Sequence, residues 1–319
     1  MSPVKVCLFG HFSVLQNGCE LKCFPSAKAK ELFCYLLLHR GRFHCREVLA
    51  SLLWSDCGES QSRKYFRQTL WQLQQALQVF SPNMQVRGLH VEGDSLKLDA
   101  NVAFWLDIAD FERAFAPVRG VGGEAMNGQQ TSMLRNSVAL YRGDLLEGCF
   151  QDWCLYHRER FQSMYICMLD KLMEHCELHR EYESGLSYGE RLLGLDSARE
   201  RTYCKLMRLH YFAGDRSGAL RQFHRCSAAL EKELGVKPSK RTIELHEQIR
   251  IDALKEVGFP HPEIVPPGGE GPASSSVFLP RLKKIRVILK NLQHQVERDI
   301  REVDQALANQ VGEQPSGRG

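Results

Sequence analysis

The sequence predicts a mainly α-helical protein with a small β component. Its parts are an N-terminal winged helix-turn-helix, a TPR-like α-solenoid and a C-terminal coiled-coil helix. Three observations carry this. Short β-like stretches bracket three helical stretches within the first hundred residues. A 34-residue internal repeat runs through the middle, and a heptad pattern closes the chain. The domains expected are 1–100 (winged helix-turn-helix), 101–256 (TPR-like helices), 257–277 (linker), 278–310 (amphipathic coiled-coil helix) and 311–319 (disordered tail).

In chain order, residues 4–9 and 12–15 are β-like, and Asn17-Gly18 follows as a hairpin signal into a third strand over 19–24. A helix is expected from Ser26, a good N-cap, to His39, with Gly41 just past its end. A short amphipathic helix, 45–54, precedes a longer one over 61–78. Strands over 84–91 and 95–98 close the domain across Glu92-Gly93-Asp94.

The 61–78 helix is the most informative segment. Phe66, Leu70, Leu73 and Leu77 recur at spacings of four, three and four and mark a buried face. Arg63, Lys64, Arg67, Gln68, Trp71 and Gln74 fall largely on the other face. Arg pairs bidentately with guanine and Gln with adenine, so such a face suits the major groove. Helix-turn-helix order puts the second helix there. The plainer reading is a solvated polar face on a core helix. Residues 1–80 hold ten Lys and Arg against five Asp and Glu, an excess that fits a polyanionic partner.

A short helix at 107–115 leads into a weak stretch, 120–131, read as a flexible loop. From Met133 to about Ala253 the pattern is helical throughout. Lys171-Leu172-Met173 recurs as Lys205-Leu206-Met207, Arg191 as Arg225, and Ser184-Gly185-Leu186 as Gly218-Ala219-Leu220, all offset by 34 residues. That is the TPR period, and Gly185, Gly218 and Ala219 are small where paired helices approach closely.

Residues 258–277 are rich in Pro, Gly and Ser, a linker composition. Beyond them Leu282, Ile285, Leu289, Leu292, Val296 and Val303 follow a/d spacing, interrupted by Asp299. Pairing with a second copy, giving a homodimer, is the first reading. Packing on the protein's own helices is the second. A membrane-surface or DNA-phosphate helix is the third, opposed by the acids of its second half.

The chain of 319 residues is 43% hydrophobic and 25% charged, with a net charge of +4. It has no apolar run of membrane-spanning length and no evident signal peptide, so no membrane association is expected. Twelve cysteines without a CxxC pair read as reduced, mostly buried thiols, and the expected location is cytoplasmic. No Walker A, GxGxxG or HExxH sequence occurs, and no catalytic spacing of acids and histidines, so neither enzyme activity nor a cofactor is expected. A weak metal candidate is His175, Cys176 and His179, with the two histidines on one helical face. An inert helix face is the preferred reading there. Cys19 and Cys23 near His11 are weaker still.

These residues resemble a family. Leu8-Phe-Gly-His-Phe, Ala27-Lys-Ala-Lys-Glu-Leu, Leu52-Leu-Trp-Ser-Asp, the run from Phe66 to Leu77 and Trp105-Leu-Asp-Ile-Ala-Asp-Phe are similar to bacterial activators of the antibiotic-regulatory type, the SARPs. So are Leu140-Tyr-Arg-Gly-Asp-Leu-Leu-Glu-Gly, Glu190-Arg-Leu-Leu-Gly-Leu-Asp and Glu233-Leu-Gly-Val-Lys-Pro-Ser. In that family a response-regulator-type winged helix precedes a bacterial transcriptional activation domain (BTAD) built on TPR helices. The resemblance implies an activator that binds direct repeats in promoter DNA and assists RNA polymerase. It places Arg63, Lys64, Arg67, Gln68, Trp71 and Gln72 at the DNA, with Lys28, Lys30 and Arg46 as further DNA-binding candidates and the 88–95 hairpin as the wing. Positions 72, 74 and 75 are Gln where the family commonly has Arg, Cys45 stands where a Ser cap is usual, and the wing is acidic. Outside this reading stand a protein-interaction role for the winged helix and a metal or redox sensor.

Overall fold

The computed structural model describes residues 4–80, 88–100 and 104–254. Strands β1 (Lys5–Cys7), β2 (Ser13–Gln16) and β3 (Cys19–Glu20) form an antiparallel meander with Val6 opposite Val14 and Leu15 opposite Glu20. Asn17 and Gly18 both have positive φ, 53° and 81°, as the central residues of a type I′ turn require. The strands are shorter than their sequence signals. The Leu8 and Phe9 amides leave the ladder to donate to the Asp107 carboxylate at 2.7 and 2.9 Å, and Gly10 N–H donates to the Asp144 carbonyl.

Helix α1 (Ala27–Leu38) starts where Ser26 Oγ accepts from the Ala29 amide. It ends before Gly41, whose φ is +82°. Strand β4 (His44–Cys45) leads into α2 (Arg46–Leu53), which lacks a side-chain cap because a thiol stands at the N-cap. Helix α3 (Glu59–Phe80) runs longer than the 61–78 periodicity indicates. Strands β5 (Leu89–Glu92) and β6 (Ser95–Leu98) form the wing, and β4 completes a sheet of order β4-β6-β5. Of the strand expected at 84–91, residues 84–87 lie outside the described residues.

One strand escapes the sequence pattern. Residues Trp105–Leu106 form β7, which pairs parallel with β1 and gives the first sheet the order β3-β2-β1-β7. Two residues are too few for a readable alternation. Helix α4 (Asp107–Phe115) follows at once. Its first side chain bridges to β1 and also accepts from the Ile108 amide at 2.7 Å. The 120–131 stretch, read as a loop, is partly ordered. An Asn127–Gln130 capping box starts α5 (Gly128–Val138).

The helical region is not continuous from Met133. Residues 139–151 form an irregular link in which Leu145 bridges Phe9, the Leu146 amide donates to Leu8 O and the Glu147 amide to Gly10 O. Then come α6 (Asp152–Leu178), α7 (Tyr182–Leu195), α8 (Glu200–Phe212), α9 (Arg216–Leu234) and α10 (Lys240–Arg250). Helices α6–α7 and α8–α9 are successive hairpins. The repeated triplets occupy matching places: Leu172 and Met173 on α6, Leu206 and Met207 on α8, all buried. Gly189, outside the matched positions, packs against the facing helix more tightly than Gly185, whereas Gly218 is crowded by Asp215 and His210. A Cβ at Gly189 would lie 2.5 Å from Leu206 Cδ2.

The principal apolar core is continuous from the first sheet to α9. At its centre Phe9 meets Phe111, Tyr141 and Phe161 at ring separations of 4.9, 4.9 and 5.4 Å. The 257–277 linker, the 278–310 helix with Leu282, Ile285, Leu289, Leu292, Val296 and Val303, and the 311–319 tail lie outside the described residues. No described helix is long and apolar enough to cross a membrane.

Candidate nucleic-acid interface

Helix α3 divides into two faces, as its apolar spacing indicates. Ser62, Phe66, Thr69, Leu70, Leu73 and Ala76 are buried, against α1 and α2. Arg63, Lys64, Arg67, Gln68 and Trp71 are exposed, and Trp71 keeps 60% of its surface accessible. Burying one face orients the other, because α1 and α2 fix the rotation of α3 about its axis.

The exposed side chains differ in how freely they can meet a ligand. Neither Arg67 nor Lys64 has a carboxylate partner among the described residues. Arg63 is shared by Glu47 at 2.6 Å and Glu59 at 2.5 Å. Exposed pairs of this kind are weak and can be exchanged for a phosphate. Lys28 pairs with Glu31 at 2.9 Å and lies 5.9 Å from the Trp54 ring. Lys30 stands 5.9 Å from the Phe12 ring. Arg46 is half-buried at the start of α2, and its Nε has no partner among the described residues.

Gln72 has an internal partner. Its Oε1 accepts from Ser26 Oγ at 2.6 Å, and the same hydroxyl caps α1. The side chain is only partly exposed and ties α3 to the start of α1. Spacing alone groups Gln72 with Gln68, but the partner lies 46 residues away and leaves no trace in the sequence.

The wing turns at Gly93, whose φ is +54°, with Glu92 and Asp94 exposed beside it. Its cations are engaged: Lys97 Nζ lies 4.7 Å from the Phe43 ring and 3.9 Å from Asp99, and His90 contacts Asp99 at 3.0 Å. The positive character of this surface belongs to α3.

The metal candidates do not converge. His175 and His179 stack at 3.9 Å, and Cys176 Sγ instead donates to Glu181 at 3.6 Å. Burial pushes the Cys176 thiol up to about 12, so it stays protonated. Burial also raises the Cys23 thiol, while His11 pairs with Glu147. Among the described residues, ligand atoms of three such groups come within 4.8 Å of one another at Cys45, Glu47 and Asp94, on the wing side of α2.

Residues 106–250 match the family described as the bacterial transcriptional activator domain. A solved structure, Mycobacterium tuberculosis EmbR in complex with a low affinity phosphopeptide, shares the fold. The TM-score is 0.60 at 18% identity, over 80% of this chain and 66% of that one, just under two thirds of its length. No curated protein matches the chain. The matched region and the shared fold make the chain similar to regulators of the SARP type, with a winged helix ahead of a helical domain. The matched region begins at the end of β7 and runs to the end of α10.

Proposed function

We propose that the chain is a sequence-specific DNA-binding activator that reads the major groove with α3. The observation that carries this is the exposed face of α3, on which Arg67, Lys64 and Gln68 stand together on a helix fixed from behind. Arg67 and Gln68 supply base-edge donors and acceptors, while Lys64 and the exchangeable Arg63 supply phosphate contacts. Lys28, Lys30 and Arg46 are supporting phosphate contacts. By the character of the family, the binding sites are direct repeats upstream of promoters, and the helical domain contacts RNA polymerase or a neighbouring protomer. The 282–303 heptads give the chain a route to a homodimer.

The test is binding of the purified chain to DNA from upstream of its own and neighbouring genes, followed by anisotropy at several salt concentrations. Tight, salt-sensitive binding to one fragment over scrambled DNA is the expected result. Equal or absent binding would overturn it and favour a protein partner for the winged helix. The acidic wing and the exposed Trp71 support that second reading.

A further inference from the structure

A cleft of about 750 Å³ opens between the winged helix and the activator domain, on the side of α1 that ends at His39. One wall is the end of α1 with Tyr35 and His39, continued by Arg42. The other is the first two turns of α6 with Trp153, Tyr156 and His157, and Arg160 beyond them. Its volume lies in the range of small-molecule sites. None of these residues contributes to the exposed face of α3.

The charge balance of the cleft is positive. Arg40 and Arg160 both pair with the single carboxylate of Glu112, and Arg42 has no carboxylate partner among the described residues. With every imidazole neutral, two positive charges remain unmatched. The carbonyl end of α1 does not cancel this at its tip, because His39 Nδ1 lies 2.9 Å from Tyr35 O.

That contact sets the protonation of its neighbours. His39 Nδ1 must donate, so a neutral His39 has a bare Nε2. This Nε2 lies 3.2 Å from His157 Nε2, which therefore carries the proton. His157 is left with a bare Nδ1, which is buried and has no partner among the described residues, in a residue only 8% exposed. On the same wall the Trp153 indole N–H is also buried without a partner. One unmet acceptor and one unmet donor thus belong to residues that line a cleft with surplus positive charge, each atom lying just beneath its surface. Its flat surfaces are aromatic: Tyr35 and Trp153 meet edge to face at 5.5 Å, and Tyr156 is 69% exposed.

We propose that this cleft binds a small planar organic anion, an aromatic or heterocyclic ring bearing a carboxylate or phosphate and a hydroxyl or amine donor. The acid group meets Arg42 and Arg160, the ring lies against Tyr35, Trp153 and Tyr156, and the ring's donor meets His157. Because the walls come from both domains, the bound ligand touches each of them.

The test is isothermal titration of the full chain with 2-hydroxybenzoate and with AMP, each against its uncharged counterpart, 2-hydroxybenzamide and adenosine. One equivalent of at least one anion should bind with a Kd below ~1 mM, and the neutral counterpart about tenfold more weakly. Binding of only the carboxylate or only the phosphate assigns the ligand class. Arg42→Ala, at an exposed position, should weaken binding about tenfold without lowering the melting temperature of the free protein. His157→Gln should also weaken it. The proposal is overturned if neither anion binds at ~10 mM, if the neutral compounds bind equally, or if Arg42→Ala binds as the wild type does.

Discussion

Arg67 stands at the centre of the exposed face of α3 with no carboxylate partner to give up among the described residues. Arg67→Ala should therefore weaken specific DNA binding by about 1–3 kcal/mol and relax preference at one base pair. Unchanged affinity in an anisotropy titration would remove it from the interface. Arg63→Ala should cost less, because wild-type Arg63 must first leave Glu47 and Glu59. His157 makes a prediction of a different kind. Burial, then the charges of His39 and Arg160, lower its pKa from the ordinary 6.5 to about 4. Between those values the unfolded chain takes up a proton that the folded chain refuses, so stability rises with pH. The contribution is complete above pH 6.5 and is lost as pH falls towards 4. His39 and His44, also lowered by burial, act with the same sign, and buried Asp107, raised to about 6, acts oppositely. His157→Gln should thus reduce the loss of urea stability between pH 7 and pH 5. An unaltered loss would show that His157 titrates normally.

At the level of elements, legibility followed local signals. Helix α3 was readable because its apolar residues recur at helical spacing over several turns. The Asn17-Gly18 hairpin was readable because two successive positive φ angles demand such residues. The Ser26 cap was readable for a similar reason. Strand β7 was not, since two residues carry no periodicity and its partner is about a hundred positions away. The cleft histidines were unreadable for the same reason: His39 and His157 are 118 residues apart. The 34-residue offset located the α6–α7 and α8–α9 hairpins, but only the packing reveals that Gly189, outside the matched positions, is crowded by the facing helix. Gly189→Ala would gain helix propensity yet press a methyl on Leu206, which is fully buried, and on Met173. The net effect should be a loss of about 1–3 kcal/mol in chemical denaturation. A neutral or stabilising result would mean that α7 and α8 can part at little cost.

For the whole molecule, assembly and internal continuity are separate questions. If the 282–303 heptads form the proposed dimer, a chain ended at Gly269 should show half the mass of the full chain by light scattering. An unchanged mass would place the dimer contact elsewhere or dispense with it. Internal continuity rests on one core shared by the winged helix and the helical domain, with Phe9 packed among Phe111, Tyr141 and Phe161. Asp107 adds a polar tie, since its carboxylate is the partner of the Leu8 and Phe9 amides. The parallel pairing of β1 with β7 has a consequence in time. During synthesis the first strand emerges early, but its outer neighbour follows about a hundred residues later. At ordinary rates of translation that is a wait of about 5–20 s. Until then the edge of β1 is open to another nascent chain. The winged-helix half is thus completed only once the helical half has begun to leave the ribosome.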